Sequence, residues 1–144
     1  MKYHHDVHHA AYVNKLNTLL GSQALNNNIF FQNSTLTSLV MHVGTAQVAN
    51  LTLYQHNLLR NNAGGHWNHA FFWRLMAANG SSALPPANSS FALTVARDFG
   101  SLTGMISEIN AAGAARFGSG WSWLVRNKTS QRLQVSASGI DWRF

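Results

Sequence analysis

The 144-residue chain contains no cysteine. Disulfides, thiolate-held zinc and cysteine nucleophiles are therefore all excluded. The redox compartment stays open. Charge is scarce as well: charged residues make up 10% of the chain, with four acids against ten Lys and Arg. The cations, among them Lys2, Lys15, Arg60, Arg97 and Arg132, are scattered along the sequence rather than gathered into a run. No nucleic-acid-binding arm is visible, so nucleic acid is not an expected partner. No apolar stretch approaches the roughly 20 residues needed to span a membrane, so a membrane partner is not expected either.

What remains is a hydrophobic content of 46%, ordinary for a globular protein, and a formal charge of +6. The length suits one domain with a core, or two small lobes. The positive field favours an anionic partner.

Residues 2–20 read as a helix with apolar positions Val13, Leu16, Leu19 and Leu20, ending near Gly21. An Asn/Ser-rich connector is expected over 21–35. Helical patterning returns from Leu36 to about Met76, with a break near Gly44. Gly64 and Gly65 sit awkwardly inside it, since each glycine costs a helix roughly 1 kcal/mol relative to alanine. Such a pair suggests that something approaches the backbone closely. NGSSALPPANSS (79–90) has the turn chemistry of a linker. Beyond it, 91–99 and 102–116 read as helices, and WSWLVRN (121–127) and RLQVSAS (132–138) as strands joined by a short polar turn. The expected fold is α+β: an N-terminal antiparallel helical hairpin (1–78), the linker (79–90), and an incomplete α/β lobe with a small antiparallel sheet (91–144). A two-stranded hairpin is marginal alone, and a further partner strand is expected for it.

Chemistry concentrates in the histidines. YHHDVHHAAY (3–12) holds four within six positions. On an α-helix His4 and His8 lie about 40° apart, with Tyr12 continuing their stripe, and His5 and His9 form a neighbouring stripe. A polar helix face explains this spacing; so does metal ligation by imidazole. In NNAGGHWNHAFFW (61–73), His66 and His69 share a face, and His69 is flanked by Trp67, Phe71, Phe72 and Trp73. A histidine amid that aromatic surface is expected to be buried, with both nitrogens needing partners. A backbone carbonyl, or a metal together with a hydrogen-bond acceptor, would satisfy them.

YHHDVHHAAYVNKLN (3–17), NNAGGHWNHAFFW (61–73), DFGS (98–101) and RFGSGWSWLV (116–125), in this order, resemble the iron/manganese superoxide dismutase family. VSAS (135–138) is similar to that family's next strand. The resemblance implies that His4 and His69 are metal ligands on two antiparallel helices. It makes His8 and Tyr12 the catalytic pair at the mouth of a substrate funnel. Trp121 would wall the metal cavity, with Trp123, Phe72 and Trp73 packed around it. His5 and His9 would face elsewhere as surface or packing residues. Gly65 resembles the manganese-type motif, because iron-type members place a glutamine there. Manganese types supply that glutamine from near the C-terminal end, where SASGIDWRF offers Ile140 or nothing. Manganese is thus the preferred metal and iron the alternative.

The activity implied is conversion of superoxide to dioxygen and hydrogen peroxide, in a homo-oligomer (dimer or tetramer). The family's D-x-W-E-H block, which carries an Asp ligand, a third His ligand and a subunit-bridging Glu, has no counterpart beyond the echo at Asp141-Trp142. Met1 aligns inside the family pattern. The chain is accordingly expected to be a fragment cut at both ends, with little dismutase activity by itself. Two other readings stand beside this one. One is a catalytically dead dismutase-like structural subunit, as in a mitochondrial ribosome; the other is a two-histidine zinc-binding helical module.

Overall fold

The structure, a computed structural model, describes residues 1–45, 48, 50–76 and 84–139. These fall into two compact units, 1–76 and 84–139. The first is helical. Helix α1 is π-helical over His4–His9 and α-helical over Ala10–Leu20. It ends where the Gly21 N–H bonds back to the Asn17 carbonyl. Two one-turn helices follow, α2 (Gln23–Asn26) and α3 (Ile29–Gln32), then α4 (Leu36–His42) and the long α5 (Leu53–Arg74). Their starts are set by short polar side chains. Asn28 caps α3, Thr35 caps α4, and Thr52 exchanges bonds with Gln55 in a reciprocal capping box at α5.

α1 packs along α5, and α4 packs against α5 as well. Between them lies a continuous core of Leu16, Leu19, Leu25, Phe31, Leu39, Val40, Val48, Leu59 and Ala63. The stretch expected as an open connector over 21–35 departs from that reading. It contributes Leu25 and Phe31 to the core, at 0% and 5% exposure. Burying such side chains is worth about 1.5–3 kcal/mol each, enough to fold a polar segment around two anchors. The glycine pair does not interrupt α5, which runs unbroken through Gly64 and Gly65.

The second unit begins with 84–89 outside any helix or strand; positions 79–83 of the expected linker lie outside the described residues. Helix α6 (Ser90–Phe99) starts at a Ser89 cap and ends at Gly100, whose φ of 75° is a backbone conformation glycine adopts without strain. Helix α7 (Leu102–Ala115) starts at a Ser101 cap. Strands β1 (Gly120–Arg126) and β2 (Leu133–Gly139) pair antiparallel, with Trp121 opposite Ser138 and Trp123 opposite Ser136. Among the described residues the sheet has these two strands, and α6 and α7 pack against it around Val95 and Met105.

Asp98, whose side chain is shielded from solvent at the end of α6, fastens this unit together. Its carboxylate accepts two bonds from Arg97 at 2.7 and 2.6 Å and one from the Leu133 N–H at 2.7 Å, and it pairs with Arg132 at 3.1 Å. The Arg97 bonds foremost, with the Leu133 N–H and the Arg132 charge behind them, hold its pKa down at about 2 against burial. Because the folded value lies below the ordinary 3.8, the stability this carboxylate contributes is complete above that value and is lost as pH falls towards 2. Acid titration by circular dichroism should therefore show the β signal failing across that window. Asp98→Asn should be less stable at neutral pH and lack this component of the acid dependence.

Candidate metal centre

The helical unit gathers aromatic and imidazole rings where the start of α1 meets the C-terminal part of α5. His4 and His69 face one another with ring centroids 5.0 Å apart. His4 Nε2 is shielded from solvent and has no hydrogen-bond partner. A polar atom buried in that way costs free energy unless something binds it. His69 is 1% exposed, and its Nδ1–H donates to the Gly65 carbonyl at 2.7 Å, which leaves the lone pair on Nε2. Burial pushes the His69 pKa down against the effect of that bond, and the neighbouring His4, His8 and His66 push it the same way. Neutral imidazole is the form that ligates a metal. The donor chemistry thus fits a metal ion held jointly by His4 and His69. It is two donors of a set: among the described residues no group of three or more His, Cys, Asp or Glu is placed to hold an ion.

Other rings close around this pair. His8, exposed, lies 5.3 Å from His4, and Tyr12 lies 5.3 Å from His69. Trp73 and Phe72 flank His4 at 5.7 and 6.5 Å. Gly65 explains itself by what it touches. A Cβ built there would meet the Tyr12 ring at 2.5–2.8 Å, so the ring occupies the space that any side chain would take.

His9 is a packing residue, as one of the two expected alternatives has it, but it does not face elsewhere: its ring lies on His69. It is buried at 8% exposure, not turned to the surface. Its Nδ1 accepts from the Trp73 indole N–H at 2.9 Å, its Nε2 lies 2.7 Å from His66 Nδ1, and its ring stacks on His69 at 5.4 Å. Burial first, then His66, His69 and His5, pushes its pKa down to about 4; burial also lowers that of His66. The reason is helical pitch. Five residues on an α-helix leave His4 and His9 roughly 140° apart. The segment is π-helical instead, with the Ala10 N–H bonding the His5 carbonyl, and an i→i+5 ladder stacks residues five apart. Both His4 and His9 then face α5. His5 stays exposed and bonds Asp6 at 2.9 Å.

Two family models match the chain: the α-hairpin domain of iron/manganese superoxide dismutases over residues 1–77, and their C-terminal domain over 87–140. The chain belongs to the iron/manganese superoxide dismutase family. A manganese superoxide dismutase of Leptolyngbya boryana is 37% identical over 141 residues, covering 98% of this chain and 54% of that protein. The mitochondrial manganese enzyme of Onchocerca volvulus is 37% identical, covering 94% and 52%. An iron superoxide dismutase of Synechococcus elongatus is 35% identical, covering 96% and 60%. The chain thus spans little more than half the length of these relatives. Since both manganese and iron proteins stand among them, the family likeness gives the metal as manganese or iron without choosing between them.

Within this chain, the rings of His4, His8, Tyr12, His69, Phe72 and Trp73 share one cluster in the helical unit. Trp121 and Trp123 lie on β1 of the second unit. Their rings sit 6.1 Å apart, and the Trp123 indole donates to Ser138 Oγ at 2.8 Å. Ile140 and Asp141-Trp142 fall outside the described residues. Spacing puts His9 and His66 on histidine faces but gives neither a bond to the other.

Proposed function

We propose that this chain carries the two-histidine part of the metal centre of a superoxide dismutase, with His4 and His69 as ligands and manganese as the preferred ion. The buried, unsatisfied His4 Nε2 facing His69 carries this reading. A purely structural subunit has no need to bury an unsatisfied imidazole nitrogen, which is a cost without a ligand. The preference for manganese rests on Gly65. An iron-type glutamine at that position would have to displace the Tyr12 ring.

Bound by these imidazoles, the ion supplies one-electron chemistry: two superoxide ions and two protons give one dioxygen and one hydrogen peroxide. The chain's own residues do the rest. The +6 charge draws the anion in. Gly65 fixes His69 through its carbonyl, so that Nε2 carries the lone pair. Phe72 and Trp73 cover His4 and restrict water. Tyr12, beside His69, and His8, beside His4, are the groups placed to deliver protons, which must arrive as peroxide forms.

Stopped-flow decay of superoxide with the manganese-loaded protein tests the proposal. The rate should depend on the metal and fall to the uncatalysed value in His69→Ala. A catalysed rate that survives that substitution would overturn it. With two donors among the described residues, the 144-residue chain alone should be far slower than a protein in which an acidic ligand and another imidazole complete the set.

A further inference from the structure

The dismutase reading gives no role to His9 and His66, which are bonded in series with Trp73. The Trp73 indole N–H, which can only donate, bonds His9 Nδ1 at 2.9 Å. His9 Nδ1 must therefore be an acceptor, and a neutral His9 carries its proton on Nε2. That nitrogen lies 2.7 Å from His66 Nδ1, so it donates there, and His66 in turn carries its proton on Nε2. One indole thus fixes two tautomers. The chain crosses from α5 to α1 and back, and it lies against the candidate ligands. The His9 ring stacks on His69 at 5.4 Å with 12° between planes, and Trp73 lies edge-on to His4 at 5.7 Å.

We propose that Trp73, His9 and His66 form a tautomer-locked chain that positions His4 and His69 as a ligand pair, with His9 a positioning residue. Both His9 nitrogens are engaged, which bars it from ligation although it stacks on a candidate ligand. Two bonds from one residue of α1 to two sites on α5 fix the rotation and pitch of the helix start. The π segment over His4–His9 is the backbone solution that lets His9 make those bonds while His4 still faces His69. The chain's purpose rests on the metal-centre reading of His4 and His69; its tautomers do not.

Long-range 1H–15N spectra of the metal-free 144-residue chain at neutral pH test this. His9 and His66 should appear as Nε2–H tautomers and His69 as Nδ1–H. Trp73→Phe keeps an aromatic ring but removes the only fixed donor. His9 should then populate both tautomers, and Mn(II) affinity should drop roughly tenfold, as when a ligand loses an outer partner. His9→Gln, which retains an acceptor and a donor, should keep more Mn(II) affinity than His9→Leu. A simple packing role would leave the tautomers and the Gln–Leu order unmoved. A wild-type His9 found as the Nδ1–H form, or tautomers unchanged in Trp73→Phe, would overturn the proposal. Failure of the wild-type chain to take up Mn(II) would count against the metal-centre reading instead, with the tautomers still deciding this one.

Discussion

Leu25→Ala should lower the stability of the helical unit by about 2–5 kcal/mol, as large-to-small changes do at fully buried leucines. Leu25 is 0% exposed, yet it sits in a four-residue helix inside a stretch rich in Asn and Ser. Its neighbours in the core include Leu16, Leu19 and Phe31, so the lost methyls leave a cavity that α1 and α3 would have to collapse to fill. Gln23→Ala on the same short helix is exposed and should move stability by no more than about 0.5 kcal/mol. Urea unfolding of the two variants, with the denaturant slope unchanged, gives the comparison. Equal effects would mean that residues 21–35 form a loose connector after all.

The second large effect reverses a familiar sign. Glycine to alanine inside a helix ordinarily stabilises by up to about 1 kcal/mol. At Gly65 the new methyl would meet Tyr12 Cδ1 at 2.5 Å and Cε1 at 2.6 Å. The contact is with a ring, not the end of a flexible chain, and the ring lies against His69. Overpacking of this kind costs about 1–3 kcal/mol, which outweighs the helix gain. Gly65→Ala should therefore destabilise the wild-type chain and stabilise a Tyr12→Ala background. A double-mutant cycle by thermal unfolding reads the coupling directly. The same sign in both backgrounds would show that Tyr12 does not occupy the space over Gly65.

Much of the fold is legible in the sequence because its signals are local. Gly21, Gly44 and Gly100 mark helix ends within a residue or two of where the structure puts them, whereas the start of α5 at Leu53, set by the Thr52–Gln55 box, lies inside a stretch that reads as helical from Leu36. Alternation in WSWLVRN and RLQVSAS likewise gives the two strands. The connector is different. Leu25 and Phe31 are isolated apolar residues in a polar setting, and no period reveals that they reach a core built by α1, α4 and α5.

At the site, burial of His69 follows from its aromatic flanks, and the close approach at Gly65 from a glycine pair in a helix. The facing of His4 and His69 comes only through family resemblance, since nothing in the spacing of two segments 65 residues apart sets it. The resemblance has His9 facing elsewhere as a surface or packing residue; it does pack, but the π-turn swings it onto His69, where a 100° step per residue would carry it away from His4. No composition signal for that turn is apparent in HHDVHH. The bond to His66 is not legible either, since its partner lies on the other helix.

The central claim is that His4 and His69 bind one ion between them. Titration of Mn(II) into the 144-residue chain, followed by the electron paramagnetic resonance signal of the free aqueous ion, tests it most directly. Uptake should be weak and saturate at about one ion per chain, as expected of a site with too few ligands. Uptake should be lost in both His4→Ala and His69→Ala, and kept in His5→Ala. Retention of the ion by His69→Ala, or its loss in His5→Ala, would rule out a site shared by His4 and His69.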